Sequence, residues 1–170
     1  MAIFGKETIG ESGDDNAANF KVVFKHRLNE PGMVSSIIMR YATGASHPIR
    51  GLIYEDNNGE PGARKGVSTE VTLAVTGGAW AEMPFSPSVF LPPAIYWIGF
   101  IRSSTPPAGY SILFATLPGQ RKYKAETYSA NPSDPFGTPD ATDGENATIY
   151  AVYEPVRTIA TTISYGRGAI

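Results

Sequence analysis

The sequence predicts an all-β protein, a jelly-roll-like antiparallel β-sandwich of eight to ten strands with little or no helix. Three observations point there. Gly (18) and Pro (14) make up about a fifth of the 170 residues, too dense a set of breakers for a helical bundle. Apolar residues alternate with polar ones in short runs, and no segment keeps a 3.6-residue period for more than two turns. The runs recur every ~8–15 residues with turn signals between them, the spacing of a sandwich or jelly roll. A content of 42% hydrophobic and 11% aromatic residues excludes a disordered chain. The absence of Cys excludes a disulfide-stapled scaffold.

The elements follow in order. Residues 19–28 place Phe20, Val22 and Phe24 on one face and Lys21, Val23 and Lys25 on the other, the period of a half-buried strand. Pro31-Gly32 turns the chain into a strand over 33–43, with Val34, Ile37 or Ile38, and Tyr41 as core candidates. After a loop at 44–48, a third strand covers 49–54. Residues 55–63, Glu-Asp-Asn-Asn-Gly-Glu-Pro-Gly-Ala, form a turn: Asp56 and Asn57 can cap amides, Gly59 and Gly62 can supply positive φ, and Pro61 pre-sets a bend. Alternation resumes over 67–75, and Gly77-Gly78 leads into 79–85. Pro92-Pro93 precedes the long apolar strand 94–102, followed by a Pro-rich turn at 105–109 and strands at 110–115 and 122–127. Residues 129–146 hold three Pro, two Gly, three Asp and one Glu, and form a long polar loop. A strand at 147–153 follows, with a last one over 156–165 and a tail at 166–170. With no repeat or composition break, the chain is one domain: an N-terminal arm (1–7), a body (8–157), and a C-terminal strand and tail (158–170).

The net charge of −2 and the dispersed Lys and Arg argue against nucleic-acid binding. Arg121, Lys122 and Lys124 make only a small cationic group, read as a solvated face. No run of ~18 apolar residues suggests a membrane helix. Residues 1–7, Met-Ala-Ile-Phe-Gly-Lys-Glu, lack the plan of a signal peptide. The expectation is synthesis in a cytoplasm, with incorporation into a virus particle as one route out.

Four segments carry a resemblance. They are Thr8-Ile9-Gly10-Glu11-Ser12; Arg50-Gly51-Leu52-Ile53-Tyr54 with the Gly59-Glu60-Pro61-Gly62-Ala63 turn; Trp80 to Phe85; and Leu91-Pro92-Pro93-Ala94-Ile95-Tyr96-Trp97-Ile98-Gly99-Phe100. Their order resembles a jelly-roll module of bacterial surface proteins and tailed-phage virion proteins, over about residues 8–102. Pro93-Ala94-Ile95 stands where that pattern has Ala-Gly-Thr, a change confined to the entry into a strand. The resemblance implies a fold, and a role either on a particle or in sugar binding.

The chemistry-bearing residues are few. Trp97 and Trp80, with Tyr110, Tyr123 or Tyr128, are candidates for a sugar-stacking platform, against the alternative that each Trp closes the core. Asp56, Asn57, Asn58 and Glu60 have oxygen-ligand character, but Val67 occupies the position where an EF-hand needs Glu. Asp134, Asp140, Asp143 and Glu145 form a second acidic group. His26 and His47 lack zinc-ligand spacing, and no Gly-x-Ser-x-Gly elbow supports a hydrolase. The sequon Asn146-Ala147-Thr148 carries little weight without a secretory signal. No metal, cofactor or catalytic residue is expected. The expectation is a structural virion protein, a capsid decoration (cement) protein that assembles as a trimer and binds the major capsid protein or other virion subunits. Its terminal arms, with Ile3 and Phe4 at one end and Tyr165, Arg167 and Ile170 at the other, make the contacts. The alternative is a glycan- or receptor-binding sandwich; the third class, an enzyme, has no spacing in its favour.

Overall fold

A computed structural model describes residues 1–14, 18–43, 47–73, 78–103 and 111–157. The described residues form twelve strands and no helix: β1 (Ala2–Gly5), β2 (Ser12–Asp14), β3 (Phe20–Leu28), β4 (Gly32–Thr43), β5 (His47–Asn57), β6 (Glu60–Val67), β7 (Val71–Leu73), β8 (Ala79–Leu91), β9 (Ala94–Arg102), β10 (Ser111–Ala125), β11 (Ala141–Ala147) and β12 (Ile149–Pro155). All pairings are antiparallel, and the strands pack as a sandwich of a four-stranded and an eight-stranded sheet. The smaller sheet runs β1-β12-β4-β8. The larger runs β10-β3-β9-β5-β6, with β2 and β11 on β10 and β7 beside β6 on β5. The start of β10 touches the end of β4 and its second half pairs with β3, so one long strand joins the layers at a corner.

The main core fills the space between the sheets. Val22 and Phe24 of β3, Ile98 and Phe100 of β9, and Ile53 of β5 face Ile37 and Met39 of β4, Met83 of β8, and Ile149 and Ala151 of β12. In β9, Tyr96, Ile98 and Phe100 alternate toward this core. In β4 the register shifts around Ser35 against both neighbours, a bulge that turns Val34 and Ile37 to the same face. Ile37, not Ile38, is therefore the core residue.

A second, smaller core lies outside the eight-stranded sheet. Val23, Leu52, Tyr54, Trp97 and Ile101 point away from the main core and are covered by Phe136. β3, β9 and β5 are thus apolar on both faces, which accounts for the unbroken apolar run 94–101. Gly99 belongs to this packing: a Cβ there would collide with the carbonyl oxygen of Val22. The room it leaves is taken by the backbone of β3, not by the Trp97 side chain.

Several boundaries differ from the sequence reading. Ala2–Gly5 is not a free arm but a strand, with Phe4 opposite Ala151. Residues 110–115 and 122–127 belong largely to one strand; Pro118-Gly119 falls in an irregularity between Thr116 and Arg121. The 67–75 run is interrupted where Ser68 turns back, its N–H donating to the Gly51 carbonyl (2.9 Å) and its Oγ accepting from the Gly51 N–H (2.7 Å). The turn at 55–63 narrows to Asn58-Gly59, with φ of 55° and 89°, the pair a two-residue hairpin favours. Asp56 Oδ2 accepts from the Gly59 N–H at 3.0 Å. Pro61 and Gly62 already lie in β6.

Candidate functional site

The loop over 126–140 determines which aromatic residues reach solvent. Its polar groups are spent on fastening it. Glu126 accepts from the Ser133 N–H (2.6 Å) and pairs with the fully buried Lys21 (2.7 Å), whose ammonium lies 4.3 Å from the Phe136 ring centroid. Tyr54 donates its hydroxyl proton to the Ser133 carbonyl (3.0 Å) and meets Phe136 edge-on at 5.1 Å. Burial, with Glu126 second, pushes the Tyr54 hydroxyl up from its ordinary range. Arg64 grips the loop through Asn131, Pro132 and Asp134, and Asp140 accepts from the Ala125 N–H at 2.7 Å.

This arrangement corrects the sugar-platform expectation for Trp97. The ring is 0% exposed. Its Nε1 donates to Asp56 Oδ1 at 2.8 Å, and Lys25 and Lys122 lie 5.3 and 5.6 Å from its centroid. Lys25 also pairs with Asp56 at 3.6 Å, and Lys122 pairs with Glu60. Trp97 is a strut under the β5–β6 hairpin, and the Asp56 and Glu60 carboxylates are engaged with protein partners. Asp143 and Glu145 likewise bind Arg121. Among the described residues no group of three or more His, Cys, Asp or Glu could hold a metal ion. Asn146 of the sequon is buried.

Phe4 is corrected too. It is 5% exposed and packs against Tyr96 and Tyr153 in the main core, so it cannot contact a partner; its neighbour Ile3 points outward and can. Tyr110, Tyr165, Arg167 and Ile170 lie outside the described residues. Tyr123 and Tyr128 pack against the two cores, and Tyr128 donates to Glu70 Oε2 at 2.7 Å.

Among the described residues, exposed aromatic and aliphatic side chains gather on the outward face of the four-stranded sheet, whose strands alternate on either side of the Ser35 bulge. Phe4, Ala151, Ile37 and Met83 pair across the strands toward the core, so the rows on either side point out. One outward row is Ile3, Val152, Ser36, Pro84, of which Val152 and Ser36 are buried within the chain; the next is Gly5, Tyr150, Ile38, Glu82. Arg40 opposite Trp80 closes one end, and Glu154, Met33 and Phe90 close the other. Trp80 is 42% exposed, with the Arg40 guanidinium 5.3 Å from its centroid and Tyr150 meeting it edge-on at 5.9 Å. Ile3 is 41% and Phe90 55% exposed. Burial, then the nearby Glu7 and Glu82, raises the Tyr150 hydroxyl. Trp80 and Ile3 are legible in the sequence as candidate contact residues; the face that joins them is not. Two shallow clefts flank the sandwich, of about 290 Å³ beside Phe90 and Tyr96 and about 430 Å³ beside Ile9 and Thr116; neither gathers a set of reactive groups.

His26 has a consequence for stability. The residue keeps some exposure, but its Nε2 is buried without a hydrogen-bond partner. Burial first, and the Lys6 charge second, hold it down at about 4. The unfolded chain takes up a proton near pH 6.5 that the folded chain refuses until about pH 4. The His26 contribution to stability is therefore full above pH 6.5, falls as pH drops to about 4, and changes no further below. The loss is about 3 kcal/mol. Urea melts across that window should show the slope in wild type and its absence in His26→Gln.

No family model, curated protein or solved structure matches this chain.

Proposed function

We propose that the protein is a structural assembly subunit, a decoration of a tailed-phage particle, whose assembly contacts are made by the outward face of the four-stranded sheet. The observation that carries this reading is the composition of that face. The exposed Ile3 and Phe90, the half-exposed Trp80 with Tyr150 and Arg40 beside it, and Met33 at the far end are residue types of an interface core rather than of ordinary protein surface. The resemblance of the 8–102 motifs to virion modules supplies the particle. Contacts offered only by the assembled state would stabilise that state by mass action, and no chemistry at the site is required.

Pelleting tests this. Particles released from the host of this gene, with the gene deleted, are mixed with purified protein and sedimented. Wild-type protein should saturate them at a fixed stoichiometry, and Trp80→Ser should bind at least about tenfold more weakly. Failure to pellet, or release of no particles at all, counts against the decoration role.

Trp80 also supports a second reading. Its indole is half-exposed beside Tyr150 and Arg40, and a flat ring of this kind can stack on a pyranose. Loss of glycan-array binding in Trp80→Ser, with particle binding unaffected, would favour that reading.

A further inference from the structure

We propose that the partner seated on the outward face of the four-stranded sheet is a second copy of this chain, related by a two-fold axis that runs across the strands. This rests on the reading that the face makes assembly contacts, and it names what it contacts.

The placement of charge on the face favours this pairing. Arg40 sits at one end of the face, in register with Trp80, and Glu154 sits at the other, in register with Met33. Two copies can stack these faces with the two-fold lying along the strands or across them. Along the strands, each row meets its own row in the partner with the strand order reversed, so the two Arg40 side chains come together at the same end. Across the strands, the rows reverse. Arg40 then approaches the end that carries Glu154 and Met33 of the other copy, and Trp80 approaches Phe90. Only the second arrangement brings Arg40 towards Glu154, and symmetry makes the pairing twice. Within one chain Glu154 remains 64% exposed, its ion pair being with the amino-terminal nitrogen at 3.2 Å, so it is open to a further cation.

Size agrees with this arrangement. Four strands at ~4.8 Å spacing, over the eight residues from Met33 to Arg40 at ~3.4 Å each, give a footprint of roughly 500 Å² per copy. Because β1 spans only four residues and Val152 and Ser36 are already buried within one chain, the pair buries at most roughly 1,000 Å², the lower bound of a specific interface. The dimer should therefore be concentration-dependent rather than permanent. Two-fold pairing gives even-numbered assemblies, unlike the trimer expected from the sequence.

The test is sedimentation velocity across the micromolar range on the full chain. Wild type should pass from monomer to dimer. Arg40→Glu alone and Glu154→Arg alone should each raise the dissociation constant by about tenfold or more, and the double variant should recover most of the wild-type value. Circular dichroism and melting temperature check that each variant is folded; Trp80→Ser, which leaves both charges in place, should also weaken the dimer. A wild-type protein that is monomeric throughout overturns the proposal. So does a dimer indifferent to Trp80→Ser and to both charge changes, or single variants that the double variant does not rescue. A dimer that ignores phage particles leaves the pairing standing and removes the decoration role. A monomer that binds particles does the reverse.

Discussion

Trp97→Ala is expected to destabilise the protein by about 3–5 kcal/mol, the range for deleting a fully buried large aromatic residue. The indole fills the second core with Leu52, Tyr54 and Phe136, and its Nε1 satisfies Asp56, which also holds the Gly59 amide. Deleting the ring opens a cavity under the hairpin, and it strips Lys25 and Lys122 of their aromatic partner. Trp97→Phe should cost less, because most of the volume is kept and only the Asp56 hydrogen bond is lost. Chemical denaturation measures both. If Trp97→Ala unfolds at the wild-type denaturant concentration, the ring is not a strut and the second core is wrongly described.

Lys21→Ala is expected to cost a similar amount, about 3–5 kcal/mol, because it leaves a largely buried carboxylate without its cation. Lys21 is 0% exposed and Glu126 18% exposed in this pair. Burial lowers the Lys21 ammonium from its ordinary value. Burial alone would raise Glu126, but hydrogen bonds from Lys21 and Ser133 hold its carboxyl below the usual range. The depressed carboxyl contributes stability above its unfolded value and loses it as pH falls through the folded one. This acid step lies below that of His26. The double variant Lys21→Met with Glu126→Gln should recover much of the loss, since no charge is then buried alone. Equal losses in the single and double variants would show that the ion pair is not what holds the 126–140 loop.

Both predictions concern a layer that the sequence conceals. The polar composition of 129–146 identifies a loop, but the loop ends at Asp140, because Ala141–Ala147 is the strand β11 paired with β10, and one apolar residue within the loop, Phe136, closes the second core. Nothing near Trp97 in sequence announces a cover that arrives almost forty residues later. The same holds for β1. Four residues at the start of the chain read as an arm because their partner, β12, lies some 150 residues away. Local signals fared better. Period-two alternation located β3 and its main-core face, and apolar runs located β4 and β9; the core face of β4 depended on the Ser35 bulge, which alternation does not reveal. Asn58-Gly59 marked the hairpin within a longer run of turn formers, since only that pair adopts positive φ there. Trp80 was legible as a candidate residue. The face around it was not, because it is assembled from β1, β4, β8 and β12 by register that sequence periodicity leaves open.

The claim that the outward face of the four-stranded sheet is the assembly surface is tested most directly by acrylamide quenching of tryptophan fluorescence. The chain has two tryptophans. Trp97 is fully buried and supplies a steady, protected background, while Trp80 reports on the face. In dilute protein a substantial part of the emission should be quenchable, and it should become protected as the protein is concentrated or bound to particles. Quenching that is unchanged when the protein assembles would contradict the account, since it would mean that assembly leaves Trp80 and its face in water.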